Sequence, residues 1–241
     1  MIHEAASVRL RLLHGFELHC GGQRVQLPLG SQRLVAFLAL HNRPLLRVYV
    51  AGMLWIDASE ERSHANLRSA LWRLRQTGHF VVDATPSHLR LGDGVEVDVH
   101  RVLALSRGLL RDPSVDELDG ELGADLLPDW YDDWLEIERE RLRQLRLHAL
   151  EAVAERLLRD GRYGEAVEAG LAAVESEPLR ESAHRVLVKV YLAEGNWSDA
   201  LRQYRVYSER LQHQLGLRPS AQMEDLVRPL AGPGDAGVTR R

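Results

Sequence analysis

The sequence predicts an α+β N-terminal domain followed by an all-α domain, and three observations predict it. Apolar residues alternate along the first thirty residues around Gly21-Gly22, which is strand patterning. Over the following stretch they recur at helical spacing, and a second alternating pair then closes the segment. From Asp98 onward the pattern is helical almost throughout, and one six-residue stretch returns after 34 residues.

Each element follows from local chemistry. Val8–Leu13, Phe16–Cys20 and Val25–Leu27 alternate in part, and the Gly-Gly pair predicts a tight turn in a small antiparallel sheet. Ser31 reads as an N-cap before the stripe Leu34, Val35, Phe37, Leu38 and Leu40, which ends near Asn42 and Pro44. A second helix is expected from about Tyr49 to Trp55, with Val48 where a capping Ser or Thr belongs. Asp57-Ala58-Ser59-Glu60-Glu61 offers a cap and first-turn acids for a third helix, from about Glu60 to Thr77, stopped by Gly78. Phe80-Val81-Val82 and Leu89-Arg90-Leu91 flank a polar turn and predict a hairpin. Strands, three helices and a hairpin are the order of a winged helix-turn-helix with an extra N-terminal sheet.

Beyond Asp98, helices are expected at about 99–111, 130–160, 164–176, 181–194, 197–214 and 220–230. Gly161-Arg162-Tyr163-Gly164-Glu165-Ala166 recurs as Gly195-Asn196-Trp197-Ser198-Asp199-Ala200, and before it Leu157 matches Tyr191 and Leu158 matches Leu192. An offset of 34 residues is the period of tetratricopeptide (TPR) repeats, so the domain is expected to be TPR-like. The predicted bounds are a winged-helix domain over 1–97, a TPR-like helical domain over 98–231 and a disordered tail over 232–241.

The formal net charge of −4 hides an asymmetry. Residues 1–97 hold 11 Arg against 8 acids, a net of +3, whereas residues 98–241 hold 20 basic residues against 27 acids, a net of −7. An anionic partner for the first half is one reading, and chance drift between two domains is the other. The single cysteine, Cys20, fits a reducing compartment; the start lacks a signal peptide, and no apolar run is long enough for a membrane span. A cytoplasmic protein without membrane contact is expected.

The third helix concentrates the charge. On a wheel of about 100° per residue, Ser63, Leu67, Ala70, Leu71 and Leu74 share one side. The opposite side carries Ala65, Ser69, Trp72 and Gln76, with Arg62 and Arg73 on one flank and Arg68 on the other. No acid lies between Arg62 and Gln76. Arg can fork to guanine or clamp phosphate, Gln can pair with adenine, and a small Ser lets the helix approach base edges. An isolated helix with this face is as readily an ordinary solvated surface, but after two shorter helices and before a hairpin it occupies the reading position of a winged helix. Arg62, Asn66, Arg68, Ser69, Trp72, Arg73 and Gln76 are therefore candidate DNA-contacting residues, joined by His88 and Arg90 on the hairpin, placed to reach a minor groove. Trp72 is read two ways, as packing on the wing or a neighbouring strand, or as touching sugar or a thymine methyl.

Ala65-Asn66-Leu67-Arg68-Ser69-Ala70-Leu71-Trp72-Arg73-Leu74-Arg75 resembles the recognition helix of SARP-type bacterial transcriptional activators. Asp125-Leu126-Leu127-Pro128-Asp129-Trp130-Tyr131-Asp132-Asp133-Trp134, with Glu138-Arg139-Glu140-Arg141-Leu142, resembles the start of their bacterial transcriptional activation domain (BTAD), and Leu215-Gly216-Leu217-Arg218-Pro219-Ser220 resembles its close. The resemblance covers about residues 7–230. It implies an OmpR-type winged helix, dimeric binding to direct repeats in double-stranded promoter DNA, recruitment of RNA polymerase, and a helical domain serving dimerisation and contacts. Larger members add an ATPase module and sensor repeats, whereas no GxxxxGK[ST] loop occurs here. Two departures matter: Val48 implies a late start for the second helix, and Trp72 fills a position that is smaller in many relatives, so no target sequence transfers.

Catalysis is not expected. The run Asp129, Asp132, Asp133 and Glu136 reads as a helix start whose acids favour the dipole, the histidines never take a zinc spacing, and no GxSxG is present. No metal or cofactor is expected either. The competing reading is a TPR-type interaction scaffold whose winged helix touches protein rather than DNA.

Overall fold

A computed structural model describes residues 7–111 and 123–230, so the tail expected over 232–241 lies outside the described residues. The chain packs as two units: the described residues of Met1–Ala104 with Gly120–Arg141, and those of Leu105–Asp119 with Leu142–Arg241.

The first unit opens with β1 (Val8–Arg11), β2 (Glu17–Cys20) and β3 (Gln23–Val25). Then come α1 (Leu29–His41), the two-residue β4 (Leu45–Leu46), α2 (Arg47–Leu54) and α3 (Glu60–Arg75). The wing strands β5 (Val82–Ala84) and β6 (His88–Leu91) precede β7 (Val95–Val97) and the start of α4 (Asp98–Arg111). The expected N-terminal sheet gains a fourth strand, in the order β3-β2-β1-β7. Its β7 runs parallel to β1, with Val8 opposite Val95 and Leu10 opposite Val97. Asp98 fixes that closure, its carboxylate accepting from the amides of Leu12, Leu13 and Val99 at 2.7–3.0 Å. The wing hairpin takes β4 as a third strand, in the order β4-β6-β5.

Two local expectations are corrected. Ser31 caps nothing: α1 starts at Leu29 behind Pro28, and Ser31 is buried inside it, donating its hydroxyl to the Ala70 carbonyl of α3 at 3.3 Å. The second helix starts early rather than late, at Arg47, which puts Val48 inside its first turn. Leu34, Phe37, Leu38, Leu45, Leu54, Leu67 and Leu89 are fully buried and form the core beneath α3.

Residues 124–141, which include the acid- and tryptophan-rich stretch, pack on this same unit. Leu13 bridges Leu126, the His14 amide donates to the Asp125 carbonyl at 2.8 Å, and Leu127 donates to Leu12 at 2.9 Å. Arg139 donates to the carbonyls of Leu126, Leu127 and Trp130, closing the loop on itself. Trp134 meets Phe37 edge-on at 5.0 Å, and Arg33 pairs with Asp132.

The second unit stacks α5 (Asp133–Arg159, its part from Leu142), α6 (Tyr163–Ser176), α7 (Glu181–Glu194), α8 (Trp197–Leu215) and α9 (Ala221–Val227). The repeat is visible in the backbone. Arg162 and Asn196 share φ −85° and ψ 64°, each behind a left-handed glycine, Gly161 at φ 74° and Gly195 at φ 86°. The matched bonds correspond too: Gly161 to Leu158 and Arg162 to Leu157, then Gly195 to Leu192 and Asn196 to Tyr191. Ala166 and Ala200 are fully buried at equivalent sites. Gly170 lets α6 approach α7 so closely that a Cβ there would lie 2.7 Å from Leu187 Cδ2. Glu181, at the start of α7, accepts from the amide and hydroxyl of Ser220 and so ties down the Leu215–Ser220 stretch.

Candidate nucleic-acid interface

The helix α3 forms because its ends are supplied. The Ser59 side chain accepts from the Arg62 amide, Glu60 and Glu61 lie in the first turn where the helix dipole favours them, and Arg73 and Arg75 lie in the last. Thr77 donates its hydroxyl to the Leu74 carbonyl at 2.7 Å, and Gly78 takes φ 72° to turn the chain away. One side is buried: Ser63, Leu67, Ala70, Leu71 and Leu74, as the helical period dictates. The small Ala70 and the Ser31 bond beneath it hold α3 against α1, which fixes its rotation about its own axis.

The other side is open. Arg62, Asn66, Arg68, Ser69, Trp72, Arg73 and Gln76 are all exposed, so one helix presents seven of the nine sequence-predicted residues to solvent. Arg75, absent from that prediction, is exposed as well. Its signal was its place in the same acid-free run. The guanidinium groups of Arg62, Arg68, Arg73 and Arg75 have no ion-pair or hydrogen-bond partner among the described residues. The arginines of the neighbouring sheets behave differently: Arg9 pairs with Glu96, and Arg11 and Arg24 both pair with Glu17. Unpaired, exposed cations on a rigid helix form an anion-seeking surface.

The wing holds the remaining two predicted residues. Its turn is braced by Arg47, which sequence reading passed over: the Arg47 amide donates to the Ser87 carbonyl at 2.9 Å and its guanidinium to the Thr85 carbonyl at 3.2 Å. His88 is half-buried, with Nδ1 2.9 Å from the Ser87 hydroxyl. Arg90 is engaged within the wing. It donates to Asp83 at 2.8 Å and to Asp93 at 2.6 and 2.9 Å, and these hydrogen bonds, Asp83's first, raise its pKa further. Arg90 thus clasps β5, β6 and the turn behind them, and any contact it made with an outside anion would compete with two carboxylates. Among the described residues no three His, Cys, Asp or Glu side chains are grouped to hold a metal ion, and no helix is long and apolar enough to cross a membrane.

A winged helix with a solvent-facing basic third helix, carried on one chain with a helical-repeat unit, defines the class of transcription regulators. The chain belongs to the bacterial transcriptional activator domain family, whose model matches residues 98–230, and within it is a SARP-type activator. Its fold is similar to that of Mycobacterium tuberculosis EmbR, solved in complex with a low-affinity phosphopeptide, with a TM-score of 0.74 at 22% identity. That match covers 93% of this chain and 65% of EmbR. No curated protein matches the sequence.

Proposed function

We propose that this activator binds double-stranded promoter DNA sequence-specifically, laying α3 in the major groove with Arg62, Asn66, Arg68, Ser69, Trp72, Arg73, Arg75 and Gln76 toward the bases and phosphates. It works in the bacterial cytoplasm as a homodimer on direct repeats, and the helical unit recruits RNA polymerase. The observation that carries the reading is the set of unpaired guanidiniums on α3. Side chains that pair with acids on the nearby sheet are left open here, where a duplex supplies phosphates and guanine edges. On the wing, His88 lies beside the minor groove, while Arg90 keeps the hairpin in shape for it.

The test is a mobility-shift titration on DNA from upstream of the protein's own gene neighbourhood, at two salt concentrations. Arg68→Ala/Arg73→Ala is expected to weaken binding by at least about tenfold, and to flatten the slope of log affinity against log salt by about two, one for each lost phosphate or base contact. A double variant that binds as well as the wild type would remove α3 from the interface and favour the scaffold reading.

A further inference from the structure

We infer that Trp72 reads a thymine methyl group, so that the base pair beneath it in the target duplex is T·A. The inference rests on the proposed placement of α3 in the major groove. Trp72 is 59% exposed, and its ring stacks on nothing and bonds to nothing among the described residues. That outcome removes one of its two sequence readings, because the wing does not cover it. Other rings of the same unit do find partners: Phe37 meets His41 and Trp134, and Phe16 stacks on Trp130. Trp72 also sits within the acid-free face. One turn before it stand Arg68 and Ser69, and one turn after it Arg75 and Gln76, all exposed.

Those four neighbours supply hydrogen-bonding groups, and the indole supplies mostly apolar surface with a single N–H donor. Every major-groove feature of the four base pairs is a hydrogen-bonding atom except one, the 5-methyl of thymine. Against a G·C pair the ring would cover O6, N7 or the C4 amino group and leave them without water, which is unfavourable. Against thymine it covers a methyl group, which is favourable. The ring is therefore suited to prefer one base pair over the others, whereas the arginines around it grip phosphate and guanine.

The experiment uses the full chain. Duplexes are selected from a library with a randomised centre, and the enriched sequence is remade with each thymine replaced singly by deoxyuridine, which deletes the methyl and keeps the pairing. Wild type is expected to lose roughly fourfold in affinity at one uracil position per half-site, the effect of about one buried methyl. Trp72→Ala is expected to bind the thymine and uracil duplexes alike, while Arg68→Ala, weaker overall, still distinguishes them. If the uracil scan is flat for wild type, or the sensitivity survives in Trp72→Ala, the methyl assignment is overturned and selective binding stands. If nothing enriches and retention on duplex DNA ignores salt, the placement of α3 fails first and this inference with it.

Discussion

His184 shows what a single buried residue does to the second unit. Its ring has no solvent exposure and lies 4.5 Å from the Tyr207 ring. Nε2 lies 3.1 Å from the Pro178 carbonyl and donates to it, so Nδ1 accepts from the Gln203 amide at 2.7 Å. Burial pushes its pKa below the ordinary 6.5, Arg210 adds to the shift, and the Pro178 carbonyl and Glu181 oppose it. Arg185, paired with Glu181, completes the charges around it. A lowered histidine pKa means that the unfolded chain takes up the proton first. The stability it contributes is present above pH 6.5 and is lost as the pH falls below that value. Thermal melts from about pH 7.5 to about pH 5.5 should therefore fall more steeply for the wild type than for His184→Gln, which has nothing to titrate. Tyr207 behaves oppositely in range: burial and Glu181 raise its phenol to about 12, so it stays neutral and donating wherever His184 titrates.

At the scale of elements, the close approach of α6 and α7 makes a sharper demand than helix propensity does. Gly170→Ala would gain about 1 kcal/mol of propensity, but the new Cβ meets Cδ2 and Cγ of a fully buried Leu187 at 2.7 and 2.9 Å. Overpacking of that kind costs about 1–3 kcal/mol, so the variant is expected to melt lower by several degrees. Gly164→Ala on the same helix meets nothing within 4 Å and is expected to melt slightly higher. A result with Gly170→Ala at or above Gly164→Ala would show that the two helices can move apart freely. The same scale explains what was legible beforehand. Both faces of α3 could be read from spacing alone, because Ser63, Leu67, Ala70, Leu71 and Leu74 repeat at the helical period whatever they pack against. The paired turns at Gly161 and Gly195 could be read because their residues match one by one. The strand β7 could not: three residues carry little pattern, and its parallel partner lies 87 positions away, Val8 to Val95. Ser31 looked like a cap because the residue type is right, and only the facing Ala70 carbonyl gives it another use. The Arg90 clasp needs the hairpin to bring Asp83 and Asp93 to one guanidinium, which spacing alone does not disclose.

At the scale of the whole molecule, the sequence motif that marks the start of the activation domain packs with the winged helix. Leu126 and Leu127 are buried beside Leu12 and Leu13, and Trp134 covers Phe37. A fragment cut after residue 97 would expose the Phe37 edge and strand the partners of Asp98 on β1. We expect a fragment of residues 1–141 to unfold cooperatively at a clearly higher temperature than one of residues 1–97, and calorimetry of the two would decide it. Equal melting temperatures would show that the 124–141 stretch is an ornament on the first unit rather than a part of its core.

The twin turns at Gly161 and Gly195 have a consequence for the lineage of such chains. Because the backbone leaves both with the same φ and ψ and the same carbonyls in use, the stretch between them is an interchangeable part. Splicing in another copy would ask for no new joint, only for a further Ala to seat where Ala166 and Ala200 do. The second unit is therefore built to be lengthened by duplication, while the first, closed by strands from its two ends, admits no such insertion.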